Sequence, residues 1–207
     1  MTVPAVDVWA RVAARRVELA DRIDTLDPAE LDAESWCAGW RVRDVIGHLV
    51  QLAEATQRSM AMVLLRNGLP LDRGLAAAAR RIGDRPADEL AARLRRSAGG
   101  RFHVVGLPRA VALGEVLVHS EDALRPVGRP LDTGPDEAAT VLDVYRRIGR
   151  LAFHQPIPDA TLVATDTAWT AGRGPEIRGR ALDLLLLLAN RRQVLGDLTG
   201  PGLDTIG

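Results

Sequence analysis

The sequence predicts a mainly helical protein, a four-helix bundle followed by a small α/β segment built from a β-hairpin and a helix. Three observations carry that expectation. Hydrophobic residues make up 47% of the 207-residue chain, enough for a sizeable core, yet aromatics reach only 3%. Ala and Leu are plentiful, whereas a β-sandwich would draw on Val, Ile, Tyr and Phe. Long stretches repeat apolar residues at helical spacing, and only after Pro156 and Pro158 does the pattern turn to short β-type runs.

The first helix is expected from about Val6 to Leu26, where Val8, Val12, Leu19 and Ile23 recur on one face. Its charged residues (Arg11, Arg15, Arg16, Glu18, Asp21, Arg22) alternate in sign, the usual mark of a solvated face. Asp27 to Trp40 is a polar connector. A second long helix is expected from Val42 to Arg66, with Val45, Leu49, Leu52, Ala53, Thr56, Met60 and Val63 inward. Asn67-Gly68-Leu69-Pro70 then stops it. Leu75 to Ala98 should hold two short helices interrupted at Gly83 to Pro86.

A third core helix spans Ala110 to Arg125 and is closed by Pro126 and Gly128. Pro135 opens a fourth, to about Phe153, since proline sits well in a first turn. Thr161 to Asp166 and the stretch around Trp169 read as strands. Gly172 to Pro175 reads as a turn, Glu176 to Gly179 as a returning strand, and Arg180 to Asn190 as a helix. The expected division is 1–155 for the bundle and 156–207 for the α/β segment.

Charge and cysteine content exclude several function classes. The formal net charge is zero, all basic residues are Arg, and a neutral chain lacks the electrostatic footprint of a nucleic-acid binder. Cys37 is the single cysteine, so neither an intramolecular disulfide nor a CxxC metal site is available. The first residues lack the basic-then-apolar order of a signal peptide. The most apolar run, Leu182 to Ala189, is too short to span a bilayer. A soluble, cytoplasmic chain is expected.

The chemistry concentrates on the third core helix. Glu115, His119 and Asp122 fall on one face of it. Val111, Ala112, Val118 and Ala123 flank that stripe, and Leu113, Leu117 and Leu124 cover the other side, so the helix is apolar nearly all round, as a buried helix is. Carboxylates and an imidazole in such a place need partners, and a bound cation would satisfy them. His48, on the edge of the apolar face of the second helix, supplies a matching group. Facing helices of a bundle commonly assemble metal sites from inward side chains. Two imidazoles and a carboxylate with an open position form the ligand set of a catalytic zinc or a non-haem Fe(II). Asp44 and Asp122 lie one turn from the histidines and are candidates to accept a hydrogen bond from their rings. Taken alone, Glu and His four apart are common on ordinary helix surfaces, and a lone helical His is more often structural.

The segment Cys37-Ala38-Gly39-Trp40-Arg41-Val42-Arg43-Asp44-Val45-Ile46-Gly47-His48-Leu49 resembles a signature of the mycothiol-dependent maleylpyruvate isomerase family, within the DinB-like superfamily. Glu115 to Asp122 resembles its second signature, E-x-x-x-H-x-x-D. Val163 to Asp166, Gly172 to Gly179, Leu182 to Arg191 and Leu198 to Gly202 are similar to its C-terminal pattern. The resemblance implies a DinB-like metal-binding four-helix bundle with His48, Glu115 and His119 as ligands, usually of zinc, and mycothiol as thiol cosubstrate. It implies a small electrophile as substrate, isomerised or joined to the thiol. Two features depart from the family: the segment after the fourth helix is short, and Asn190 stands where Gly commonly precedes Arg191.

Other residues carry weaker expectations. Cys37 has no recognisable nucleophile partners and reads as structural. Trp40 is a packing anchor or a wall of the thiol pocket. Arg178, Arg180 and Arg191 are candidates to clamp a substrate carboxylate, and Trp169 with the hairpin to cover one end of the bundle. His103 and His154 read as ordinary. Two further readings stand beside the thiol-dependent enzyme: a non-catalytic bundle that keeps its metal for stability or a regulatory partner, and an oxidative Fe(II) enzyme on the same triad. The oligomeric state is open between monomer and homodimer.

Overall fold

The computed structural model describes residues 7–59, 62, 72–152 and 159–206. They form the helices α1 (Val8–Ile23), α2 (Pro28–Asp32), α3 (Val42–Glu54), α4 (Asp72–Gly83), α5 (Ala87–Arg96), α6 (Ala110–Leu124), α7 (Pro135–Ala152) and α8 (Ala181–Leu188). The strands are β1 (Thr161–Ala164), β2 (Thr170–Gly172) and β3 (Glu176–Gly179), and two 3₁₀ turns follow α8. The Asn67 to Pro70 stop and His154 lie outside the described residues. No helix among the described residues is long and apolar enough to cross a membrane.

By packing, the chain forms two compact units, Asp7–Leu131 and, beginning at Asp132, the remainder. In the first, α1 and α3 each pack against both α5 and α6, which closes a four-helix ring, and α4 lies along α3. Leu19, Ile23, Ile46, Leu49, Leu90, Leu94, Leu113 and Leu117 fill the ring. In the second unit α7 packs on α8. The sequence reading sets the helix from Pro135 with the bundle; in the structure it groups with the C-terminal segment because α8, buried along its whole length, is its packing partner.

Local chemistry explains several ends. Asp27 and Glu30 cap α2 reciprocally, each side chain accepting from the other's backbone N–H, with Pro28 in the first turn. This helix lies inside what reads in sequence as a plain connector. The second long helix is shorter than expected. It stops at Glu54 because Ala55 is extended, and Thr56 and Ser59 then cap a new helical turn reciprocally. The apolar spacing runs on through this break, but hydroxyl-to-backbone bonds compete with helix continuation.

Arg16 is a second correction. It is buried, not solvated, and its Nη1 donates to the carbonyls of Ala98 (3.0 Å) and Gly100 (2.7 Å) beyond the end of α5. Burial brings its pKa down to about 10, which leaves it charged at neutral pH.

The helices α3 and α4 meet glycine to glycine. A Cβ on Gly47 would lie 2.2 Å from the Ala79 carbonyl oxygen, and one on Gly83 would lie 2.4 Å from that of Arg43. This approach brings Asp84 to the Arg41 guanidinium (2.7 Å) and sets Arg80 over Trp40.

The sheet has the order β2-β1-β3. β1 and β2 form an antiparallel hairpin in which Leu162 faces Ala171. The third strand does not return along β2 as the turn suggests; it lies on the other side of β1, parallel to it, with Ile177 beside Leu162. Gly172 and Gly174, both at positive φ, let the chain pass close under Asp159 and Ala160 at the start of β1. Trp169 donates from Nε1 to Asp143 of α7 (3.0 Å), which ties the hairpin to that helix.

Candidate metal centre

Thirteen of the fifteen residues of α6 are buried; the two that are not are Glu115 and His119. The helix is therefore apolar nearly all round, as its sequence suggests, and opens to solvent where it carries these two groups. His48 comes to them from α3, its position set by the Gly47 crossing one residue earlier. The side chains of His48, Glu115 and His119 retain 19%, 31% and 21% of their accessible surface, so the cluster faces an opening and is not sealed.

The three residues converge: donor atoms of His48, Glu115 and His119 lie within 4.8 Å of one another. Glu115 Oε2 lies 3.7 Å from His48 Nε2 and 3.5 Å from His119 Nε2. The rings of the two histidines meet edge to face, 4.9 Å apart. The carboxylate contacts are long for hydrogen bonds, which fall at 2.7–3.2 Å. They match the edges of a coordination tetrahedron, because donors about 2.0–2.2 Å from zinc stand roughly 3.3–3.6 Å apart. Two imidazoles and one carboxylate with this spacing fit a borderline-soft divalent cation.

Asp122, one helical turn beyond His119, completes the arrangement. Its Oδ2 lies 2.9 Å from His119 Nδ1. An ionised carboxylate only accepts, so Nδ1 carries a proton towards Asp122 and Nε2 is the nitrogen turned to the cluster. Asp44 is placed differently. Its carboxylate accepts from the Arg41 backbone N–H (2.9 Å) and from the Arg41 guanidinium (2.8 Å) at the start of α3. There it anchors the helix that carries His48.

The electrostatics follow from the geometry. Enclosure by protein opposes charge on Glu115, but the facing His119 and His48 rings override it and hold the carboxyl well below the usual carboxylate range. Burial likewise opposes a charged His119, yet Asp122, then the Cys37 thiol, then Glu115 raise its pKa well above the ordinary histidine value. The metal-free site is thus a carboxylate facing an imidazolium.

Trp40 meets His48 edge to face, 5.9 Å between ring centroids, and the Arg80 guanidinium lies 5.9 Å over the Trp40 ring. Arg80 does not stand out in the sequence, since Arg is too abundant here for one to be singled out. His103 contacts Trp9 with its ring. The arginines expected as clamps stand in the C-terminal unit, Arg178 on β3 beside Glu176 (2.8 Å), Arg180 near Asp166 (3.6 Å), and Arg191 with Nη1 on the Ala189 carbonyl (2.6 Å).

Residues 12–106 match the family model of the mycothiol maleylpyruvate isomerase N-terminal domain. The matched stretch contains Cys37, Trp40, Asp44 and His48; Glu115 and His119 follow it on α6. Two solved structures resemble nearly the whole chain: the mycothiol-dependent maleylpyruvate isomerase (TM-score 0.64) and a histidine-to-alanine mutant of it (TM-score 0.63). Each is 15% identical, and each match covers 97% of this chain and 96% of the other. At that identity the likeness establishes a common fold. No curated protein matches the chain in sequence.

Proposed function

We propose that the chain is a metal- and thiol-dependent enzyme in which His48, Glu115 and His119 hold one divalent cation, zinc by donor set. Its cosubstrate is a low-molecular-weight thiol, mycothiol. Its substrate is a small electrophile that is isomerised or joined to the thiol sulfur. The observation that carries this reading is the opening: the three donors converge at the one place where the otherwise buried α6 meets solvent. A metal kept for stability alone favours a closed, fully protein-liganded shell, whereas catalysis needs a free position. The domain family and the shared fold support the thiol.

A bound cation of this kind lowers the pKa of a thiol that coordinates it, which supplies thiolate at neutral pH. The chain's own residues do the rest. Asp122 fixes the His119 tautomer. Glu115 brings one negative charge, which offsets part of the cation's charge and leaves the site attractive to a thiolate. Trp40 forms an aromatic wall beside His48. We place the reaction in the cytoplasm, where small thiols stay reduced.

The test is metal content of the purified protein together with thiol-dependent isomerisation of maleylpyruvate, in which the thiol is returned, or thiol consumption with a model electrophile that keeps it. Wild type should hold about one zinc and show one of the two turnovers, and His119→Ala should lose both metal and turnover. Unchanged metal content and turnover in His119→Ala would refute the proposal.

A further inference from the structure

Cys37 takes no part in the chemistry above, and in the sequence it reads as a lone structural residue. In the structure its thiol lies 3.2 Å from Asp122 Oδ2, the same oxygen that faces His119 Nδ1, and 3.8 Å from Nδ1 itself. The thiol is the donor to the carboxylate, so two donors converge on one buried carboxylate oxygen. We infer that Cys37 is a positioning residue for the metal centre: its S–H fixes the Asp122 carboxylate, which in turn fixes the tautomer and ring plane of His119.

The loop that presents Cys37 is built for this. Ser35 Oγ accepts from the Cys37 N–H (3.1 Å) and donates to the Trp40 carbonyl (2.9 Å), while the Trp40 N–H closes the turn on the Cys37 carbonyl (2.9 Å). Gly39, at φ +73°, takes the left-handed position that the turn requires. The loop then docks on α6 at Asp122 twice. The Trp36 N–H satisfies the Asp122 carbonyl (2.9 Å), one of the orphan acceptors of the last helical turn, and the Cys37 thiol reaches the side chain of the same residue. Residues 82 and 85 positions away in sequence are thereby held in one chain, Cys37 to Asp122 to His119. Packing alone does not explain this placement, since a small apolar side chain would fill the space without meeting a buried carboxylate.

The inference rests on the metal reading of the triad, and its test separates the two. Zinc affinity is measured by competition with a chelating indicator for wild type, Cys37→Ala and Cys37→Ser, beside their melting temperatures. The exchange rate of the His119 Nδ1 proton is measured by NMR on the same metal-free proteins. Removing a group that orients a ligand directly lowers affinity about 10–100-fold, so loss of one acting a step further out should lower it about 3- to 10-fold. Cys37→Ala should show that loss and faster proton exchange, and Cys37→Ser, which keeps a donor, should recover most of both. Wild-type affinity and exchange in Cys37→Ala overturn the inference. So does an equal loss in the serine and alanine forms, which marks a packing role. A thiolate-to-cobalt charge-transfer band in the cobalt-loaded wild type also overturns it, because Cys37 would then be a ligand. Should wild type bind no zinc or cobalt, the metal reading falls, and proton exchange alone decides whether Cys37 holds Asp122 on His119.

Discussion

His119 Nδ1 lies 2.9 Å from Oδ2 of Asp122, a carboxylate with no exposed surface. The pair ties a half-open imidazole to the interior of α6, and it fixes which ring nitrogen faces the cluster. Asp122→Asn keeps the shape but replaces an acceptor-only group with one that also donates, so the Nδ1 proton loses its fixed place. Zinc affinity should fall about 10- to 100-fold, read by indicator competition. Wild-type affinity in this variant would mean that Asp122 serves packing only.

The metal-free centre predicts its own pH dependence. The His119 pKa is raised on folding, so the stabilisation from its charged ring is complete below the unfolded value of 6.5 and fades as pH rises through the folded value. The Glu115 pKa is lowered, so its contribution is present above the unfolded value of 4.5 and fades as pH falls through the folded one. Both are in full force between those two unfolded values. Chelator-treated protein should therefore melt highest in weakly acidic buffer. His119→Gln should remove the decline on the alkaline side; persistence of that decline in the variant would assign it to another group. Cation loading must displace the His119 proton, so calorimetry in buffers of different ionisation enthalpy should register proton release at neutral pH.

How far the sequence discloses this site depends on the range of the interactions. The apolar surroundings of Glu115 and His119 are local to one helix and show in its pattern. The α2 cap is equally local, carried by Asp27-Pro28-Ala29-Glu30, but the polar residues around it make the whole stretch read as a connector. The break after Glu54 is local too but hidden, because apolar spacing continues through Thr56 while two hydroxyls bond the backbone instead. Arg16 reads as solvated because its neighbours are charged; its burial is decided by carbonyls more than eighty residues away. The Cys37 thiol on Asp122 is as distant, and no spacing rule reaches it. The parallel placement of β3 follows from two glycines that pass under β1, which a turn signal alone does not distinguish from a simple return.

The Gly47 crossing gives a prediction about the scaffold. A Cβ there would meet the Ala79 carbonyl oxygen at 2.2 Å and the Gly83 nitrogen at 2.6 Å, both backbone atoms. Backbone cannot swing aside as a side chain can, so in Gly47→Ala α3 and α4 must separate. Overpacking costs about 1–3 kcal/mol, and for a chain of this size that lowers Tm by roughly 2–12 °C. Gly99 is the control: a Cβ there would have nothing within 4 Å and its φ is not positive, so Gly99→Ala should melt close to wild type. Equal melting of the two variants would show that the helices have room to adjust.

The end of α8 gives the last prediction, and it turns on a departure noted in the sequence. Asn190 stands where the family commonly has Gly, and among described residues it alone takes a positive φ (+62°) without being glycine. The reason is the cap. The Arg191 N–H bonds the Leu186 carbonyl and the Asn190 N–H bonds that of Leu187, both at 2.9 Å, the paired bonds of a Schellman motif with Asn190 in its left-handed position. Asn tolerates that conformation better than other side-chain-bearing residues, but glycine meets no steric penalty at all. Asn190→Gly should therefore leave stability unchanged or raise it by up to about 1 kcal/mol, while Asn190→Val should lower it by about 1–2 kcal/mol. Chemical denaturation of the three proteins checks the order, and a valine variant as stable as the glycine variant would show that the cap does not hold the helix end. Neither change alters the donors of the candidate metal centre, so zinc affinity should stay at the wild-type value in both.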